Sequence, residues 1–87
     1  MIKPSIKEEL IDYLTETISL FKKIEGLAQA KNKTVKIKGI LGVIQIVVAR
    51  LSSSLSYVKS GGYEMFPVIM QKSLYNPIIE WIIGEVE

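Results

Sequence analysis

Residues 39–51 read GILGVIQIVVARL, from Gly39 to Leu51. Across residues 39–49 Gln45 is the only polar side chain, and charge returns with Arg50. A helix that is apolar around its whole circumference has to be covered on every side. The stretch therefore predicts the central element of a core, with the rest of the chain supplying its cover. The apolar run is shorter than the ~20 residues that a bilayer span takes, so the expectation is a core helix and no transmembrane segment.

Working outward, Lys33-Thr34-Val35-Lys36-Ile37-Lys38-Gly39 admits two readings. Alternation of Val35 and Ile37 with lysines suits a short strand, but the chain offers no second strand to pair with it. Thr34 as an N-cap, followed by Ile37, Leu41, Ile44, Val48, Leu51, Leu55 and Val58 at three- and four-residue steps, suits a helix better. Gly39 and Gly42 fall on one face of that helix and would admit a neighbouring helix at close range. Ser52, Ser53, Ser54 and Ser56 give its later turns a smaller, wetter face, and Lys59 followed by Gly61-Gly62 ends it.

The partners come from either side. Upstream, Ser5-Ile6-Lys7-Glu8 has capping-box spacing. Ile6, Leu10, Leu14, Ile18, Phe21, Ile24 and Ala28 then form a sustained helical stripe, widened by Ile11, Leu20 and Leu27. This predicts a helix from about Ser5 to Lys31, bent near Gly26, with Asn32 at its C-terminal end. Downstream, Tyr63 to Pro67 opens a third helix whose buried side would be Val68, Ile69, Met70 and Leu74. Asn76-Pro77 either kinks that helix or starts a fourth, and Ile78, Ile79, Trp81, Ile82, Ile83 and Val86 follow. No repeat, low-complexity tract or linker divides the chain. The expected fold is all-α, a single three- to four-helix bundle over residues 1–87, with two long antiparallel helices and a Pro-broken C-terminal helix or two short ones.

Composition narrows the chemistry. The 87 residues contain no cysteine and no histidine. Thiol nucleophiles, thiolate metal sites, the commonest general base and the usual pH switch are thereby removed. The acidic residues that appear early after Met1 lack the apolar core of a signal peptide, so a cytoplasmic location is the default expectation. Lysine and isoleucine dominate, which fits a thermophilic or AT-rich source. Hydrophobic residues make up 48% of the chain and its mean hydropathy is +0.29. A domain this small buries only ~60–65% of its unfolded surface, so part of that apolar content has to stay outside or be covered by another chain.

Charge is unevenly placed. Residues 21–38 carry six lysines against Glu25, net +5, whereas residues 77–87 carry Glu80, Glu85 and Glu87, net −3. Lysines near the end of the first helix suit its macrodipole, as Lys22, Lys23 and Lys31 do; lysines at the start of the second do not. Lys31, Lys33, Lys36 and Lys38, beside free helix N-terminal amides, are therefore candidate phosphate contacts. No aromatic side chain lies among residues 33–38 to stack on bases, and solvation or pairing with the acidic segments accounts for the same lysines. The row Glu8, Asp12, Glu16 could in principle hold a metal, but a solvated, N-terminal acidic face explains it equally well, and no metal or other cofactor is expected. The serines lack a histidine partner and a Gly-x-Ser-x-Gly elbow, and Gly39-Ile40-Leu41-Gly42 lacks the Lys-Ser/Thr of a phosphate loop.

Trp81 and its neighbouring isoleucines are either core or interface, with Phe66, Ile78, Trp81 and Ile82 as candidate anchors. Tyr57, Tyr63, Met65 and Phe66 around Gly61-Gly62 form a weaker candidate surface. The sequence thus favours a non-enzymatic protein-interaction protein that self-associates or serves as an accessory subunit of a larger complex. A nucleic-acid-binding module using the lysines is the alternative, and a peripheral membrane role ranks below both.

Overall fold

The computed structural model describes residues 4–31, 34–62 and 68–86 of the chain. Three helices account for nearly all of them: α1 (Pro4–Gln29), α2 (Val35–Lys59) and α3 (Val68–Val86). No strand occurs among the described residues, and the fold is all-α. The segment Val35–Lys38, ambiguous in sequence, forms the first turn of α2.

Each helix begins where local chemistry permits. α1 starts at Pro4, whose fixed φ suits a first helical turn, so Ser5 sits inside that turn and not at its cap. α2 is capped by Thr34 in extended conformation, and its hydroxyl accepts the amide of Ile37 at 3.2 Å. Removing that acceptor by Thr34→Ala is expected to cost about 1 kcal/mol, read as a lowered midpoint in urea with an unchanged slope. The far end of α2 closes through Ser60 N–H to the Ser56 carbonyl at 3.0 Å and Gly62 N–H to the Tyr57 carbonyl at 2.8 Å. Gly61 takes φ 95° there, in the left-handed region where a side chain would be strained. α3 carries Pro77 within its length.

The core is one cluster. α1 contributes Leu10, Leu14, Ile18, Phe21, Ile24 and Ala28, and α2 contributes Ile37, Ile40, Ile44, Val47, Leu51 and Val58. α3 adds Tyr75, Ile82 and Val86. The main seam joins α1 to α2, and α3 rests chiefly on α1 with a slighter contact to α2. Leu20 and Leu27, expected to widen the α1 stripe inward, lie exposed.

That arrangement corrects the reading of the central stretch. α2 is not covered on every side: one face is buried, while Ile46 in the middle of the apolar run is 71% exposed. The reason is a shortage of cover. With three helices, α1 takes one side of α2, and α3 rests mainly on α1. No neighbouring helix uses Gly39 or Gly42 either, since among the described residues nothing lies within 4 Å of where a Cβ would sit at either position. By length and composition the 25-residue α2 is long and apolar enough to cross a membrane, and 17% of its apolar window is buried within the chain. The apolar run alone, as delimited in the sequence, understated the length of the helix that carries it. The molecule is elongated, 50 × 21 × 16 Å, with a radius of gyration of 14.4 Å where about 12 Å is usual for a compact chain of this length.

Candidate interaction surfaces

The basic end of α2 and the acidic end of α3 meet. Lys36 and Glu85 form an ion pair through Nζ and Oε2, with the lysine largely exposed. Such an exposed pair contributes less than ~1 kcal/mol, but it places the end of α3 beside the start of α2. Lys38 is exposed on the same first turns, Lys31 is exposed just beyond α1, and Lys33 lies outside the described residues. The structure thus directs one of the candidate phosphate contacts, Lys36, toward a carboxylate. Thr34, the nearby hydroxyl, is engaged as the α2 cap.

The carboxylates Glu8, Asp12 and Glu16 run exposed along α1. Among the described residues no three carboxylates gather closely enough to hold a metal ion. Ser53 and Ser56 are exposed and Ser52 and Ser54 half-buried along α2, while the Ser60 hydroxyl donates to the Tyr57 carbonyl at 3.0 Å.

α3 separates the candidate anchors. Ile82 is fully buried and belongs to the chain's own core, so it cannot serve as a contact for another molecule. It shares a face with Gln71, Tyr75 and Val86, at helical spacing, and that is the face laid against the bundle. Trp81, one residue earlier, points elsewhere and is 46% exposed. Ile78 is half-buried between the two faces, and Phe66 lies outside the described residues. Met70 and Leu74, expected on the buried side, are exposed instead and continue the Trp81 stripe at i, i+4 and i+11. Tyr75, not Leu74, is in register with the buried Ile82 and Val86.

Tyr13 of α1 faces this helix. Its hydroxyl is buried and makes no hydrogen bond, and Lys72 Nζ stands 6.0 Å from its ring centre. Burial pushes the phenol above its ordinary pKa; the Thr17 hydroxyl, short of full hydrogen-bond geometry, pulls the other way, and Tyr75 adds to the rise. A phenol whose folded pKa is raised contributes stability that is intact below the unfolded value of ~10 and is lost as pH climbs through the folded value. Tyr13→Phe is therefore expected to be neutral or stabilising by up to about 1 kcal/mol at pH 7, and to flatten the loss of stability above pH ~10. Urea midpoints measured across that range check both parts.

Set against known proteins, the chain matches no family, no curated protein and no solved structure.

Proposed function

We propose that this is a non-enzymatic helical protein that acts by binding another protein, either a second copy or a larger intracellular assembly in which it is an accessory subunit. The observation that carries this reading is the outward stripe Met70, Leu74 and Trp81 on α3. Large apolar side chains in a row, half in water, lose solvent when a partner covers them, and tryptophan is prominent among residues that dominate binding energy. Half-buried Ile78 borders the stripe and extends its apolar area.

In this reading the helices run up, down and up. A short connection turns α1 into α2, and the Lys36–Glu85 pair brings the last turn of α3 to the first turn of α2. The two long helices are then antiparallel, with α3 laid along α1 and its Trp81 edge left open. Charge would orient the partner, because net positive residues gather near one end of the rod and carboxylates lie along α1 and α3.

The test is co-purification of the tagged chain from its native lysate, with and without nuclease, beside a Trp81→Glu variant. The same discrete proteins surviving nuclease, and lost with Trp81→Glu, are the expected result. Partners that vanish with nuclease and return with wild-type strength in the Trp81 variant would transfer the function to Lys31, Lys33, Lys36 and Lys38 as phosphate contacts. Light scattering on the pure protein measures the self-association branch.

A further inference from the structure

Between Glu25 and Glu64 the chain carries six cations and no carboxylate; all nine of its carboxylates lie at those two positions or beyond them. α2 occupies the middle of that stretch and presents Lys36, Lys38, Arg50 and Lys59 at its surface. Lys36 is paired with Glu85, whereas Lys38, Arg50 and Lys59 have no ion pair among the described residues. The outward face of α2 also holds three large apolar side chains, Val35, Ile46 and Tyr57, 89%, 71% and 57% exposed. They are spaced eleven residues apart (35, 46, 57), close to three full turns, so they form one line along the helix. Counted from Val35 at about 100° per residue, Lys38 lies ~60° to one side of that line and Arg50 ~60° to the other. Lys59 and Lys36 stand farther round on the same two sides.

We infer that this face of α2 lies against an anionic lipid bilayer surface. An apolar line edged by cations on both sides is the pattern of an interfacial helix. Its apolar side chains enter the boundary between headgroups and acyl chains, and the lysine and arginine stems reach outward to lipid phosphates. Tyrosine, apolar along its ring and polar at its tip, suits the same boundary. The sequence of α2 is apolar all round and shows no such division of faces; folding creates it. Ile37, Ile40, Ile44, Leu51 and Val58 are taken into the core, and the line with its cations is left outside. Between the three large residues stand small exposed ones, Gly39, Ala49 and Ser53, so the face offers neither a pocket nor a ridge. A fluid, flat surface covers it without needing a complementary shape.

Shape agrees. α2 is ~38 Å long, more than the two shorter dimensions of the 50 × 21 × 16 Å molecule, so it runs along the rod and can lie flat on a surface. Charge agrees on the opposite flank. Asp12 is nine residues from buried Phe21, half a turn round α1, so the row Glu8, Asp12 and Glu16 looks away from the core that α2 packs on. A rod positive on one flank and negative on the other settles on an anionic surface with α2 downward. Nucleic acid fits this face less well, because Val35 and Ile46 stand in its centre, where phosphates would have to sit. A spanning helix would have to withdraw Ile40, Ile44 and Leu51 from the core. The α2 face is separate from the Trp81 stripe on α3 and does not rest on the protein-binding reading.

The experiment floats the full chain with vesicles of phosphatidylcholine alone or of phosphatidylcholine mixed with phosphatidylserine, and circular dichroism verifies that each variant is folded. Wild type is expected to float with the mixed vesicles only and to be released by added salt. A cation near such a surface strengthens binding about five-fold, so Lys38→Glu combined with Arg50→Glu is expected to weaken it at least ~25-fold. Ile46→Asn removes the apolar centre without touching charge and is expected to weaken it about ten-fold. Leu27→Asn, at an exposed leucine of α1, is expected to bind as wild type. Wild type that floats with neither vesicle overturns the proposal, and so does flotation that ignores the charge reversals. Recovery that resists salt and follows the vesicles regardless of composition marks a spanning helix and also overturns it. Binding unchanged by Ile46→Asn and displaced by duplex DNA gives the face to nucleic acid instead. Loss of flotation in Trp81→Glu, with Ile46→Asn binding as wild type, moves the membrane contact to α3 and overturns the assignment to α2. Capture of protein partners from nuclease-treated lysate tests the α3 reading on its own, so either reading can fail while the other stands.

Discussion

Truncation of Phe21 to alanine is expected to cost about 3–5 kcal/mol, the largest loss of any single truncation among the described residues. Phe21 has no exposed surface and is the largest of the fully buried side chains, in one cluster with Leu14, Ile40, Ile44, Leu51 and Ile82. Its removal opens a cavity in the cluster to which all three helices contribute side chains, and a rod of three helices has little second-layer packing with which to refill it. A domain of this size has a total stability near the low end of ~5–15 kcal/mol, so the variant should lie close to its unfolding transition at room temperature. At ~4–8 °C per kcal/mol the melting temperature falls by on the order of 15–30 °C. Thermal unfolding by circular dichroism at fixed protein concentration measures it, because association would make the midpoint depend on concentration. Leu27→Ala is the internal control. Leu27 is an apolar residue of the same helix, and being exposed it should change stability by no more than ~0.5 kcal/mol. Equal losses at Phe21 and Leu27 would mean that the core has been drawn on the wrong face of α1.

The contrast between Phe21 and Leu27 also marks where the sequence speaks and where it falls silent. On α1 charged residues occupy one side, so the apolar stripe has only one phase, and Leu10 to Ala28 can be placed inward from spacing alone. Thr34 is legible for a similarly local reason, since a hydroxyl three residues before an amide with no helical partner has one favourable use. α2 and α3 mark their faces less sharply. On α2 the stripe Ile37, Ile44, Leu51 and Val58 is legible and is buried, but isoleucine and valine surround the helix, and whether Ile46 is covered as well is decided by how many helices are available to cover it. α3 holds Ile78, Ile79, Ile82 and Ile83, which satisfy two registers about 100° apart. The register that wins buries Tyr75, Ile82 and Val86 and leaves Met70, Leu74 and Trp81 outside. The candidate site was therefore half legible: Trp81 could be named as an anchor, but its companions could not be chosen until the packing of α3 was fixed.

That packing makes adjacent residues behave oppositely, and the second large effect follows from it. Ile82→Ala should cost about 2–5 kcal/mol of folding stability, because the side chain is fully buried. Trp81→Glu should leave stability within ~1 kcal/mol of wild type, because nearly half of the ring is already in water and the charge would enter solvent, not the core. Binding should reverse the order. Loss of a tryptophan anchor together with burial of an unpaired carboxylate against a partner costs at least ~2 kcal/mol, or about 30-fold in affinity. Trp81 is also the only tryptophan in the chain, so its fluorescence reports its own surroundings without interference. In the free protein the emission should lie between the buried and fully solvated limits, and it should shift to shorter wavelength as a partner covers the α3 stripe. Emission that stays fixed through complex formation, or a Trp81→Glu chain that melts as early as Ile82→Ala, would return Trp81 to the core and leave Met70 and Leu74 an isolated apolar edge. An outcome with stability retained, affinity lost and emission shifted requires that the same ring be dispensable for folding and covered on binding, and a half-exposed tryptophan beside a fully buried isoleucine can satisfy both.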